Sequence, residues 1–136
     1  MSSHYDLSDQ AYAEKFAQGR FPARLFSHEA HLRLAWIHLR QHGLEMAIAN
    51  MREQIPALAV RCKVPEKYND TVTVAAVYAI HRVDQHSSAA DFPAFLAEHP
   101  ELHTQFRELL SRHYSIDIFR SPEAKARYLE PDLLPF

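Results

Sequence analysis

Apolar residues recur along most of this chain at helical spacing, and that rhythm predicts its main elements. Over residues 44–55 they fall at Leu44, Ala47, Ile48, Met51 and Ile55, an i, i+3, i+4, i+7, i+11 series that lines one face of a helix. Pro56 is expected to kink or end that helix, with 57–62 as a short continuation. Upstream, Ser27 is a good N-cap, Glu29 lies in a first turn and Gly43 is a C-terminal stop, so a helix is predicted over 28–42. Downstream, Asn69 or Asp70 can cap a segment running to about Gln85. It is apolar or threonine all round from Val72 to Ile80, as a central buried helix would be. The β-branched run at Thr71–Val74 would also suit a strand, but no second alternating run exists to pair with it.

The remaining elements are shorter. Ser8 caps a helix over 8–17 that stops before Gly19, and Phe21-Pro22 opens an extended link. Residues 63–68 read as a loop around Pro65. Asp91 caps a helix over 92–98, and Pro100 opens another to about His113, with Leu102, Phe106, Leu109, Leu110 and His113 on one side. Ser121-Pro122-Glu123 starts a last helix to about Leu129. The tail 131–136 holds two prolines and three large apolar residues, so it should pack back rather than fray. The fold expected is all-α, one domain over 1–136, a compact bundle of about six helices. The 28–42 and 71–85 helices should pack together at its centre.

Composition sharpens this picture. The 136 residues include only two glycines, little raw material for hairpins or phosphate-binding loops. A formal charge of −2 gives no reason to expect nucleic acid or an anionic membrane as partner. The single cysteine, Cys62, cannot form an internal disulfide and fits a reducing compartment. No secretory signal or membrane-length apolar run is visible, so a cytoplasmic protein is expected, its oligomeric state open.

Ten histidines are many for this length, and four of them share one helix face. At about 100° per residue, His28, His31, His38 and His42 fill a sector roughly 80° wide, with Ala35 in its middle. Glu29, Arg33 and Arg40 lie opposite, so the charged side should face water and the histidines a core or cleft. Enclosed imidazoles need partners: a carboxylate, a carbonyl, water or a metal. His28 and His31, three apart, can reach one point and could ligate zinc, iron, nickel or copper. Asp70 is the expected third ligand if the two central helices run parallel, and His81 the alternative if they run antiparallel. Tyr68, Thr71 and Thr73 could orient a substrate. His-Glu-Ala-His is one residue short of the zinc-protease spacing, and no catalytic residue stands out. His38 and His42, near a helix C-terminus, are more simply explained by the helix dipole. Cys62 between Arg61 and Lys63 reads as a small core residue.

Three stretches also carry a resemblance: Phe26-Ser-His28-Glu-Ala-His31-Leu-Arg-Leu-Ala-Trp36, Tyr68-Asn-Asp-Thr71-Val-Thr73, and Ser121-Pro-Glu-Ala with Pro131-Asp-Leu. Together they resemble a group of small bacterial helical proteins with Phe-x-His-x-x-His…Ala-Trp and Tyr-x-x-Thr-x-Thr segments. The resemblance runs from about Phe26 to the C-terminus. In that group the tyrosine is usually followed by His and Glu, where this chain has Asn69 and Asp70. It implies where a site lies and not which reaction it runs.

Three functions remain open at this level. The first is a polar His/Asp/Tyr/Thr pocket that holds a divalent metal and activates water for hydrolysis. The second is a metal-free module that holds a small anionic ligand through its imidazoles. The third is an interaction protein whose histidines are satisfied core.

Overall fold

The computed structural model describes residues 2–136 and is all-helical, with eight α-helices and no strand among the described residues. It divides into two compact units, residues 1–68 and 69–136.

The first unit carries α1 (Asp9–Ala17), α2 (His28–His42) and α3 (Leu44–Arg61), with single 3₁₀ turns at His4–Asp6, Ala23–Leu25 and Pro65–Lys67. Ser8 and Ser27 cap α1 and α2 as their sequences predict, each hydroxyl accepting from the N–H three residues on. Gly43 ends α2 with φ +85°, a backbone that a side chain would strain, so α2 and α3 turn back on each other through one residue. Pro56 does not end α3, which runs unbroken to Arg61. Losing one backbone hydrogen bond there is outweighed by burial of Met51, Ile55 and Leu58, which share a face across the proline.

The centre of this unit is α2, nine of whose fifteen residues are buried, so it is enclosed on more than one face. Tyr12, Phe16, Phe21 and Phe26 form an aromatic cluster beside it, with neighbouring ring centroids 4.6–6.1 Å apart. The charged side of α2 does not simply face water. Arg33 is only 4% exposed because the 3₁₀ turn His4–Asp6 and the start of α1 lie across it. It donates to the carbonyls of His4 (2.6 Å) and Leu7 (2.7 Å) and to the Asp9 carboxylate (3.0 Å), and its guanidinium lies 4.8 Å from the Tyr12 ring centre. Arg40 and the partly exposed Glu29 keep to the expected side.

The second unit carries α4 (Asp70–Asp84), α5 (Phe92–Glu98), α6 (Glu101–Thr104), α7 (Phe106–Ser111) and α8 (Pro122–Ala126). The run Thr71–Val74 is helical, and α4 is buried from Asp70 to Ile80 apart from Val72 and Tyr78. Eight helices rather than six arise partly because the 100–113 segment breaks at Gln105, whose backbone (φ −133°, ψ 36°) leaves the helical region. The last helix stops at Ala126 because Arg127 turns extended.

That turn lets the C-terminal segment fold back onto its own unit. Thr71 donates from its hydroxyl to the Arg127 carbonyl (2.8 Å) and accepts from the Leu129 N–H (3.0 Å). Tyr114 donates to the Leu129 carbonyl (2.8 Å). Phe136 stacks on His113 at 4.1 Å, and His113 Nδ1 donates to the Leu134 carbonyl. Leu133 and Leu134 themselves stay about half exposed, so the aromatic end and the backbone, not the leucines, dock the tail. Thr71→Val keeps the shape but orphans both backbone groups. It is expected to cost about 2 kcal/mol in chemical denaturation and to speed amide exchange at Leu129. Unchanged exchange at Leu129 would show that Thr71 does not hold the tail.

Candidate functional site

The chemistry of α2 starts with its cap. Ser27 Oγ accepts from the Ala30 N–H at 3.1 Å and its carbonyl accepts from the His31 N–H at 2.9 Å, which sets His28 at the first helical position and His31 three residues on. Their side chains are then about 60° apart around the axis, on one edge of the first turn. Phe26, just before the cap, lays its ring on the His31 imidazole with centroids 5.6 Å apart and planes 26° from parallel.

His28 is exposed and His31 is not. His31 as a whole keeps some exposure, but its Nε2 is enclosed and has no hydrogen-bond partner. Among the described residues it is the one buried side-chain nitrogen or oxygen in that condition. Burial, with a smaller contribution from the charge His28 would carry, pulls the His31 pKa down from 6.5 to about 4. The ring is therefore neutral at pH 7, with a lone pair or an N–H at Nε2 and nothing in the chain to meet it. An orphaned buried group of this kind costs about 1–3 kcal/mol, so something is expected to occupy it.

The other histidines of the stripe are accounted for by the protein. His38 Nε2 donates to Gln54 Oε1 (3.1 Å) and its Nδ1 accepts from Asn50 (3.3 Å), both from α3. It is a satisfied core histidine that ties the α2–α3 hairpin. His42 is exposed, its ring 6.0 Å from that of His38. His4 lay outside the predicted site, yet it is buried, donating from Nε2 to Glu29 (2.9 Å) while its Nδ1 accepts from Arg33 (3.2 Å). The sequence signal for that buried cluster was Ile37, an apolar residue one turn beyond Arg33 on the supposedly solvated side.

The remaining predicted residues fall as follows. His28, His31 and Tyr68 belong to the first unit; Asp70, Thr71, Thr73 and His81 belong to the second. Asn69, not Asp70, caps α4, accepting from the Val72 N–H (2.9 Å) and donating to the Ile118 carbonyl (2.8 Å). Asp70 and Thr73 are buried in the first turn, and Tyr68 is half-buried after the Pro65–Lys67 turn. The Thr71 hydroxyl is committed to the C-terminal segment. His81 bonds Gln85 on the exposed last turn of α4, where water competes with any ligand. Cys62 is exposed at the end of α3 rather than core, because the last turn of that helix projects beyond the packed face.

Among the described residues, no three His, Cys, Asp or Glu side chains are grouped as a ready-made metal cage. None of their helices is long and apolar enough to cross a membrane. No family model, curated protein or solved structure is significantly similar to the chain.

Proposed function

We propose that this protein is a small-ligand-binding module whose site is the first turn of α2, with His28 and His31 as the contacting residues and a divalent metal ion as the ligand. The observation that carries this reading is the enclosed, unpartnered Nε2 of His31. Zinc, iron and nickel all accept neutral imidazole, and two imidazoles at i, i+3 can share one ion. Water or a substrate donor would complete the shell, and an ion with such open positions lowers the pKa of bound water, the requirement for hydrolysis.

A metal-free ligand is the second reading, favoured by the lack of a third grouped protein ligand among the described residues. Such a ligand would meet Nε2 with a hydrogen bond to a neutral ring. An anion held by protonated imidazoles fits poorly, since His31 takes up a proton only near pH 4.

The test is calorimetric titration of untagged protein with zinc, iron(II) and nickel, with elemental analysis, on wild type, His28→Ala and His31→Leu. The expected result is near-stoichiometric uptake of one of these ions, weakened in His28→Ala and lost in His31→Leu. Leucine removes the orphaned group, so His31→Leu is also expected to be as stable as wild type or more so by about 1 kcal/mol. No uptake by wild type, or full uptake by His31→Leu, overturns the metal reading. A loss of more than about 2 kcal/mol in His31→Leu would make His31 a packing residue.

A further inference from the structure

The second unit contains an open cavity of about 460 Å³ whose walls include none of the histidines discussed above. Its floor is apolar, made by Leu110, Tyr114, Ile118 and Phe119, and at its rim Ile116 and Leu133 are about half exposed. A volume of this size lies in the range of small-molecule sites, which combine apolar walls with a few placed polar groups.

Here the polar groups divide sharply. Tyr114 spends its hydroxyl proton on the Leu129 carbonyl, Ser111 donates to the Glu108 carbonyl, and Ser115 donates to Asp132. Asp117 accepts from the Phe119 N–H (3.0 Å) and, with Arg120 at 3.8 Å, lies exposed at the rim, where water screens its charge. Arg107 is different. It is exposed, and its guanidinium carbon lies 4.1 Å from the Phe119 ring centre, which holds the cation beside the cavity. Among the described residues it has neither an ion-pair partner nor a hydrogen-bonded oxygen, so only water competes with a ligand for its fork of donors.

We propose that this cavity binds a small organic carboxylate, its apolar body on the Leu110–Tyr114–Ile118 floor and its carboxylate on the fork of Arg107. An apolar floor alone would take any hydrophobe. A cation pre-positioned by stacking, with every other lining side chain engaged, selects an anionic end group that accepts two parallel hydrogen bonds. This site is independent of the histidines of α2.

The probe is octanoate, with octanol as its neutral counterpart, titrated into the full chain by calorimetry and followed by ligand-observed NMR. Wild type is expected to bind octanoate at least about tenfold more tightly than octanol, and Arg107→Ala to erase that preference, as loss of a charge-assisted hydrogen bond would. Arg107→Lys keeps the charge but not the fork and should fall between them. Ser111→Trp, at an exposed lining position, should block both ligands, and it carries the test if Arg107→Ala does not fold. Octanoate binding that is unchanged in Arg107→Ala, no preference over octanol in wild type, or no octanoate binding at millimolar concentration would each overturn the proposal.

Discussion

Arg33→Met is expected to lower the stability of the protein by about 3–5 kcal/mol, a fall of about 10–17 °C in Tm for a chain of this size. Methionine fills much of the same volume, so the loss is not a cavity. It comes from what Arg33 leaves behind. The carbonyls of His4 and Leu7, now bonded at 2.6 and 2.7 Å, lose their donor in a region closed to water. His4 Nδ1 and the Asp9 carboxylate lose theirs as well, and the Tyr5 and Tyr12 rings lose a cation at 5.4 and 4.8 Å. The first turn of the chain can answer in one way, by peeling off α2 so that its carbonyls reach water. That would raise amide exchange over residues 3–9 before the rest of the unit responds. Asp9→Asn is the control: the Asp9 side chain is 44% exposed, so its ion pair is screened and its loss should cost less than about 1 kcal/mol. An Arg33→Met protein that melts with wild type, with no change in exchange over 3–9, would mean that the cluster contributes nothing to stability.

The second large effect is on acid stability. His31 in the folded chain titrates near 4, whereas in the unfolded chain it titrates near the ordinary 6.5. Between those values the unfolded state binds a proton that the folded state refuses, so stability falls as pH falls from 6.5 to 4 and is unaffected by this group above 6.5. At about 1.4 kcal/mol per pH unit, the full loss reaches about 3 kcal/mol. Burial also lowers the pKa of His38, with the bond to Gln54 opposing, so His38 adds to the slope in the same direction. Denaturant titrations of wild type and His31→Leu across pH 7.5 to 4 isolate the His31 part as the difference between the two curves. His31→Leu should lose less stability on acidification by about that amount. Parallel curves would show that the ring is not held neutral, and with it would go the argument that Nε2 waits for a ligand.

Much of the helical layout was legible because local rules fixed it. Ser8, Ser27, Asp91 and Ser121 each sit where a side-chain acceptor is needed, and each caps the helix that follows. The helix at Thr71–Val74 followed from the want of a partner strand, since β-branched residues are neutral until something pairs with them. Pro56 did not end its helix because the rule against internal proline counts one lost hydrogen bond and not the burial of Met51, Ile55 and Leu58 around it. Residues 100–113 read as one helix because the periodicity carries through Gln105, where the backbone does not.

For the candidate site, the sequence could place His28 and His31 on one edge of one turn, since cap and period decide that much. It could not sort the four histidines of the stripe, which are equivalent by angle. Gln54 and Asn50 from α3 satisfy His38, solvent takes His42, and Phe26 closes over His31 without offering a partner. Nor could it place Arg33, which helical periodicity assigned to water until the 3₁₀ turn at His4–Asp6 covered it.

By itself, then, the sequence determined the helical class, most of the helix starts and the edge of α2 that carries the imidazole pair. Each depends on residues within a turn or two of one another, and such interactions are written in the local order of the chain. Only the tertiary structure decided which polar groups are met and which are left over: Arg33 and Thr71 engaged, His31 Nε2 unmet and the Arg107 fork left to water. Those outcomes depend on segments distant in sequence that come to lie against one another, and periodicity carries no information about them.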